Sequence, residues 1–260
     1  MPTTPPQPPF DLRALATILA QLRDPVAGCA WDREQTFETI APYTIEEAYE
    51  VADAIGREDH VALRDELGDL LLQVVYHARI AEERGLFDLS SVVDSVCAKM
   101  IRRHSHMYGD AASATPTGWE AIKQAERAAG GASSALDGVA LALPALMRAE
   151  KLQRRAARVG FDWPDASGPR TKIDEELAEV DAATSSPSLA AEIGDLLFSV
   201  VNYARHCGVD AETALRGASD RFEARFRLVE ARSPRPLSEQ SLDELEALWA
   251  AAKAAPGPPD

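Results

Sequence analysis

Histidine and cysteine are scarce in this chain, five and three among 260 residues. Neither type recurs at metal-ligand spacing. Cys29, Cys97 and Cys207 stand far apart and outside any Cys-x-x-Cys pair. This excludes a disulfide framework and a zinc ribbon, and reads as inert core thiols in a reduced cytoplasm. His104 and His106 are two residues apart and cannot share a helix face, so they make no metal pair. Positive charge is short as well: 27 Lys and Arg against 42 Asp and Glu leave a net charge of −15. Nonspecific nucleic-acid binding, which rests on neutralising phosphates, is excluded on that balance. No apolar run approaches the ~20 residues a bilayer-spanning helix needs, so no membrane segment is expected. Convincing strand alternation is missing too, and the predicted class is all-α. Residues 1–9 carry five prolines and neither a basic nor an apolar segment. They read as a disordered tail rather than a signal peptide, and 255–260 as a second tail.

What is abundant is acid, and it is ordered. The segments Glu66-Leu67-Gly68-Asp69-Leu70-Leu71-Leu72-Gln73-Val74-Val75-Tyr76-His77-Ala78-Arg79 and Glu192-Ile193-Gly194-Asp195-Leu196-Leu197-Phe198-Ser199-Val200-Val201-Asn202-Tyr203-Ala204-Arg205 agree at nine of fourteen positions. Leu67, Leu70, Leu71, Val74, Val75 and Ala78 keep helical spacing and form one apolar stripe, with Glu66, Asp69, Gln73 and Tyr76 along its border. Gly68 and Gly194 fall in the helix interior, where glycine costs roughly 1 kcal/mol relative to alanine, and predict a close backbone approach.

A second acidic motif precedes each copy: Glu46-Glu47-Ala48-Tyr49-Glu50 and Glu175-Glu176-Leu177-Ala178-Glu179. Glu47 with Glu50, and Glu176 with Glu179, are i, i+3 pairs on one helix face. The short stretch between the two motifs predicts an antiparallel helix pair. Four carboxylates then meet across it: Glu47, Glu50, Glu66 and Asp69 in one copy, Glu176, Glu179, Glu192 and Asp195 in the other. Unpaired acids beside a core face are costly, and an all-oxygen anionic cage suits Mg²⁺ or Mn²⁺ rather than zinc. A di-iron bundle would use Glu-x-x-His, which neither copy has. Solvated helix faces are the bland alternative; a repeat that preserves residue type and spacing at the apolar border weighs against it. Glu46 and Glu175 lie about 100° round the helix from their neighbours, behind the cage or on the surface.

The repeat divides the chain into two similar lobes, residues 10–129 and 138–254, joined by a linker over 130–137 that contains Gly130-Gly131-Ala132-Ser133-Ser134. Helices are predicted over 11–23, 44–56, 59–85, 89–104 and 119–129, then over 145–158, 171–183, 188–206, 210–231 and 239–254. The first has Asp11 as its cap and Leu12, Leu15, Ile18, Leu19 and Leu22 as its buried face. Beyond the acids, Lys99 and Arg103 align with Arg221 and Arg225, and Trp119 and Lys123 with Trp249 and Lys253. Metal-binding acids, paired cations and an aromatic face together fit a nucleoside polyphosphate.

At these residues the chain resembles the MazG-type nucleoside triphosphate pyrophosphohydrolases, whose signature is E-E-x-x-E followed after a gap by E-x-x-D. The resemblance covers about residues 10–254 and extends to Asp24-Pro25, Gly28-Cys29-Ala30-Trp31-Asp32, Ile40-Ala41-Pro42-Tyr43-Thr44, Leu143-Pro144-Ala145-Leu146-Met147-Arg148-Ala149 and Val159-Gly160-Phe161-Asp162-Trp163. It departs from the family pattern at Ala30, Ser105, Met107, Arg221 and Ala224. It implies an all-α homodimer that hydrolyses NTPs or dNTPs to a monophosphate and pyrophosphate, a house-cleaning of the nucleotide pool. It further implies Glu176, Glu179, Glu192 and Asp195 as Mg²⁺ ligands, and Lys172, Arg221, Arg225, Trp249 and Lys253 as nucleotide contacts. Glu175, Glu176 and Glu179 are then the candidates for orienting or deprotonating the attacking water. A base-selective dUTPase- or dCTPase-like pyrophosphatase and a non-catalytic, metal-dependent nucleotide-binding scaffold are the alternatives. The resemblance and one residue favour the C-terminal lobe as catalyst. Lys172 lies one turn before Glu176, whereas Tyr43 occupies the matching place before Glu47. The set Glu47, Glu50, Glu66 and Asp69 is then a second, inactive site.

Overall fold

The computed structural model describes residues 4–108, 122, 126, 131 and 133–255; of the helix predicted over 119–129 only residues 122 and 126 are described, both helical, and Trp119 and Lys123 lie outside the described residues. Among the described residues every regular element is helical and none is a strand. The fold is all-α. The chain divides into two compact units, Met1–Gln124 and Ala125–Asp260.

The first unit is built from α1 (Leu12–Leu22), α2 (Ala30–Glu34), α3 (Phe37–Gly56), α4 (His60–Glu83), α5 (Leu89–Arg103) and the short α6 (Ser105–Tyr108). Asp11 caps α1 by accepting from Ala14 N at 2.9 Å, and Asp59 caps α4 through Val61 N and Ala62 N. Three residues separate α3 from α4, so the two return antiparallel and pack along their length. Leu19, Ile40, Val75, Tyr76 and Ile80 form the buried centre, backed by Leu15, Ala16, Phe37 and Leu89. Burial of each large aliphatic there contributes about 1.5–3 kcal/mol.

Helix α3 begins seven residues before the predicted 44. Thr36 and Thr39 form a capping box, and Pro42 is carried inside the helix. A proline near the start forfeits one hydrogen bond, which the burial of Ile40 and the cap offset.

The second unit holds α7 (Ala145–Ala157), α8 (Ser167–Ala182), α9 (Ser186–His206), α10 (Ala211–Arg232) and α11 (Leu242–Ala254). Ser185 caps α9 with Pro187 in its first turn, and a Ser241–Glu244 capping box starts α11. The α8–α9 pair repeats the packing of α3–α4, α7 lies against α9, and α10 pairs with α11. No helix among the described residues is long and apolar enough to cross a membrane.

Three expectations are corrected. The apolar stripe on α4 is split: Val75 and Ala78 are buried, but Leu67 is 50% and Leu71 43% exposed, and Leu12 and Leu22 on α1 are also open. The matching face of α9 leaves Ile193, Leu197 and Val200 exposed. A two-helix hairpin has two apolar sides, and its own unit covers only one of them. The second correction follows from the first: a Cβ added at Gly68 or Gly194 would meet nothing within 4 Å, so among the described residues no backbone approaches them. Third, Cys29, Cys97 and Cys207 are exposed rather than in the core.

Candidate functional site

The start of α8 shapes the site. Asp165 accepts from Ser167 N at 2.8 Å, opening the helix four residues before the predicted 171. Pro169 is fully buried in the first turn, and a Cβ at Gly168 would collide with the indole of Trp163. The glycine therefore lets the indole of Trp163 pack against the helix. One turn on, Lys172 Nζ donates to Glu175 Oε1 at 2.8 Å and reaches Glu176 Oε1 at 2.7 Å. These two acids raise the lysine pKa.

Glu176 is only 4% exposed, and its second oxygen, Oε2, is buried without a hydrogen-bond partner. Glu176, Glu179 and Glu192 each place a carboxylate oxygen within 4.8 Å of the other two. Burial first, and then the charge of Glu176, raise the pKa of Glu179, against the pull of Lys172. Asp195 is outside this trio of oxygens and lines the adjoining cavity with Glu176. The donor set is all oxygen, it converges, and it holds an orphaned buried carboxylate oxygen, which costs about 1–3 kcal/mol if left unmet. A hard divalent cation fits.

The first unit repeats the arrangement with differences. Glu47, Glu66 and Asp69 bring oxygens within 4.8 Å of one another. Glu50 is outside that trio, yet its charge acts on both Glu47 and Glu66. Burial and then the neighbouring carboxylates raise the pKa of both: Asp69 leads for Glu47 and Glu50 for Glu66. Tyr43, rather than a lysine, precedes this cluster.

Beside the C-terminal cluster lies a cavity of about 790 Å³, lined by Trp163, Phe161, Phe198, Gln153 and Asn202 together with Lys172, Glu176 and Asp195. Its wall is pinned by Arg205. This side chain grips Asp162 with Nη1 to Oδ2 at 3.0 Å and Nη2 to Oδ1 at 2.5 Å, and donates from Nε to Asn202 Oδ1 at 3.0 Å. The guanidinium holds the Asp162 pKa down to about 2. In the first unit Tyr76 stands where the repeat has Asn202. It is 4% exposed, its hydroxyl donates to Asp32 Oδ1 at 2.9 Å, and Arg23 covers its ring. Burial above all pushes the Tyr76 pKa up to about 12.

The other sequence-predicted contacts are not gathered at this cavity. Arg221, Arg225, Trp249 and Lys253 are not among its lining residues. Trp249 packs instead on Phe222, ring centroids 5.4 Å apart, in a groove of about 530 Å³ with Phe226, Val229 and Leu245. Sequence reasoning missed Gln153, Asp162, Trp163, Asn202 and Arg205 as cavity residues. Asn202 and Arg205 were visible within the repeated stretch, and Asp162-Trp163 within the turn after Gly160. Gln153 carried no signal of its own.

Antiparallel helix pairs that gather glutamates beside an aromatic cavity define a class of all-α proteins with carboxylate cages. The family model described as the MazG nucleotide pyrophosphohydrolase domain matches residues 35–108. The nucleoside triphosphate pyrophosphohydrolase of Escherichia coli (strain K12) is 47% identical over 247 residues, covering 90% of this chain and 94% of that protein. The nucleoside triphosphate pyrophosphohydrolase/pyrophosphatase MazG of Thermotoga maritima is 43% identical over 242 residues, covering 92% and 94%. The chain belongs to the MazG nucleotide pyrophosphohydrolase family.

Proposed function

We propose that this chain is a cytoplasmic, metal-dependent nucleoside triphosphate pyrophosphohydrolase that releases pyrophosphate and a nucleoside monophosphate, and so clears the nucleotide pool. The observation that carries the reading is the orphaned Glu176 Oε2, buried in a converging carboxylate cluster that opens on an aromatic cavity. The names of the two relatives point to the same chemistry.

Glu176, Glu179, Glu192 and Asp195 would hold Mg²⁺, or Mn²⁺. When bound, the ion would offset phosphate charge and lower the pKa of a ligated water. Lys172, already at the edge of the cluster, adds a fixed positive charge where charge develops on the pyrophosphate leaving group. Glu175, Glu176 and Glu179 would be the groups to orient such a water or accept its proton.

The bare apolar faces of α4 and α9 call for a second copy of the chain, giving a homodimer. We assign to that copy the delivery of the basic and aromatic α10–α11 residues Arg221, Arg225, Trp249 and Lys253 to the nucleotide. Light scattering at micromolar concentration should give about twice the chain mass of 28.1 kDa; a monomer mass would refute the assembly.

The function is tested on EDTA-treated protein supplied with Mg²⁺, Mn²⁺ or Ca²⁺, with pyrophosphate release followed across a panel of NTPs and dNTPs. Release is expected only after Mg²⁺ or Mn²⁺ is restored. Undiminished release without added metal would overturn the mechanism, and no release from any nucleotide would leave a binding scaffold. Turnover of one base alone would make the enzyme base-selective.

A further inference from the structure

Gln153 is 6% exposed on α7, and it reaches α9, where its Nε2 donates to the Phe198 carbonyl oxygen at 2.8 Å. A backbone carbonyl only accepts, so this bond fixes the amide: nitrogen toward α9, Oε1 the other way. That Oε1 is buried and has no hydrogen-bond partner. Gln153 also lines the 790 Å³ cavity that contains Glu176 and Asp195. A buried acceptor is costly unless something supplies it with a donor, and the cavity is where such a donor can enter. Asn202 lines the same cavity with its Oδ1 already taken by Arg205, from Nε at 3.0 Å and Nη2 at 2.7 Å. What Asn202 can still offer is a donor. Aromatic side chains complete the lining, the usual platform for a planar heterocycle. The volume lies within the roughly 300–1,000 Å³ of small-molecule sites and admits a purine.

We propose that Gln153 is the residue that reads the nucleobase: its Oε1 accepts from an amino or ring N–H on the base, while the phosphates lie toward Glu176 and Asp195. The proposal rests on the nucleotide reading of the site given above and adds what selects the substrate. Nucleotides whose base presents such a donor are accepted. Bases that have lost it, by alkylation of a ring nitrogen or removal of the amino group, are disfavoured because they leave Oε1 buried and unpaired.

The test is equilibrium binding to the full chain by titration calorimetry, with Mg²⁺ present and with monophosphates, so that no turnover enters. Two ligand pairs differ in the donor: AMP against purine riboside 5′-monophosphate, which lacks the amino group, and UMP against N3-methyl-UMP, in which a methyl replaces the ring N–H. The native protein should bind the donor-bearing member of at least one pair about tenfold or more tightly than its analogue. Gln153→Met, of similar volume and without the acceptor, should bring that pair to near-equal affinity by weakening the donor-bearing ligand alone. Gln153→Leu repeats the test should methionine disturb the packing, with far-UV circular dichroism checking the fold. Equal affinities within both pairs for the native protein would overturn the proposal, and so would a contrast that survives both substitutions. Failure of pyrophosphate release with the contrast intact would instead sink the enzymatic reading and leave the base-reading one standing.

Discussion

Glu176→Gln should lower kcat for pyrophosphate release by on the order of a hundredfold or more, with Glu179→Gln, Glu192→Gln and Asp195→Asn also severely impaired and every variant still helical. The substitution at 176 keeps shape and removes charge. In the native protein Glu176 Oε1 is held by Lys172 while Oε2 is buried and unpartnered. An amide in its place turns one of those positions into a donor and removes one anion from the cluster. A divalent cation then loses both a ligand and part of the field that holds it. The fold loses little. A neutral amide is easier to bury than a carboxylate, and Lys172 retains Glu175 at 2.8 Å. Steady-state kinetics with far-UV circular dichroism decide the matter. Loss of helicity in these variants would mean that the carboxylates hold the helices together, and unchanged kcat in Glu176→Gln would remove the residue from the chemistry.

Much of this was legible in the sequence, for definite reasons. The fold class and the helix pairs follow from a period of 3.6 residues sustained over long segments, and the start of the first helix from Asp11, whose side chain caps it. The acidic clusters were readable because i, i+3 spacing on two helices joined by a short link leaves few other places for the carboxylates. What stayed hidden depended on relations between elements. Periodicity marks Leu67 and Leu71 as apolar without saying what covers them, and among the described residues both stay about half exposed. Gln153 looks like any polar residue of an amphipathic helix until its bond to Phe198 and its orphaned oxygen are seen. The sequence groups Trp249 with the nucleotide contacts, through alignment of the two lobes and the family resemblance, yet it packs on Phe222. Alignment transfers position, not orientation.

Paired substitutions should place catalysis in one lobe: Glu179→Gln with Glu192→Gln should abolish pyrophosphate release, while Glu50→Gln with Glu66→Gln should leave most of it. Both lobes gather acids, so the ligand sets alone do not discriminate, and the expectation comes from what surrounds them. At the C-terminal cluster Lys172 contacts Glu176 at 2.7 Å, whereas Tyr43 holds the matching place before Glu47. Loss of one preorganised cation beside the phosphates costs transition-state stabilisation of about 2–4 kcal/mol, roughly thirtyfold to a thousandfold in rate. The second difference is steric. Asn202 lines an open cavity, while its counterpart Tyr76 is buried at the centre of the first unit and tied to Asp32. A base entering from the first cluster would have to displace a packed ring and break that hydrogen bond. The N-terminal acids are therefore assigned to weak metal or phosphate binding and to assembly. The readout is kcat/KM for both double variants, with light scattering to show that each keeps the oligomeric state of the native protein. Loss of activity in the Glu50/Glu66 pair with retention in the Glu179/Glu192 pair would reverse the assignment.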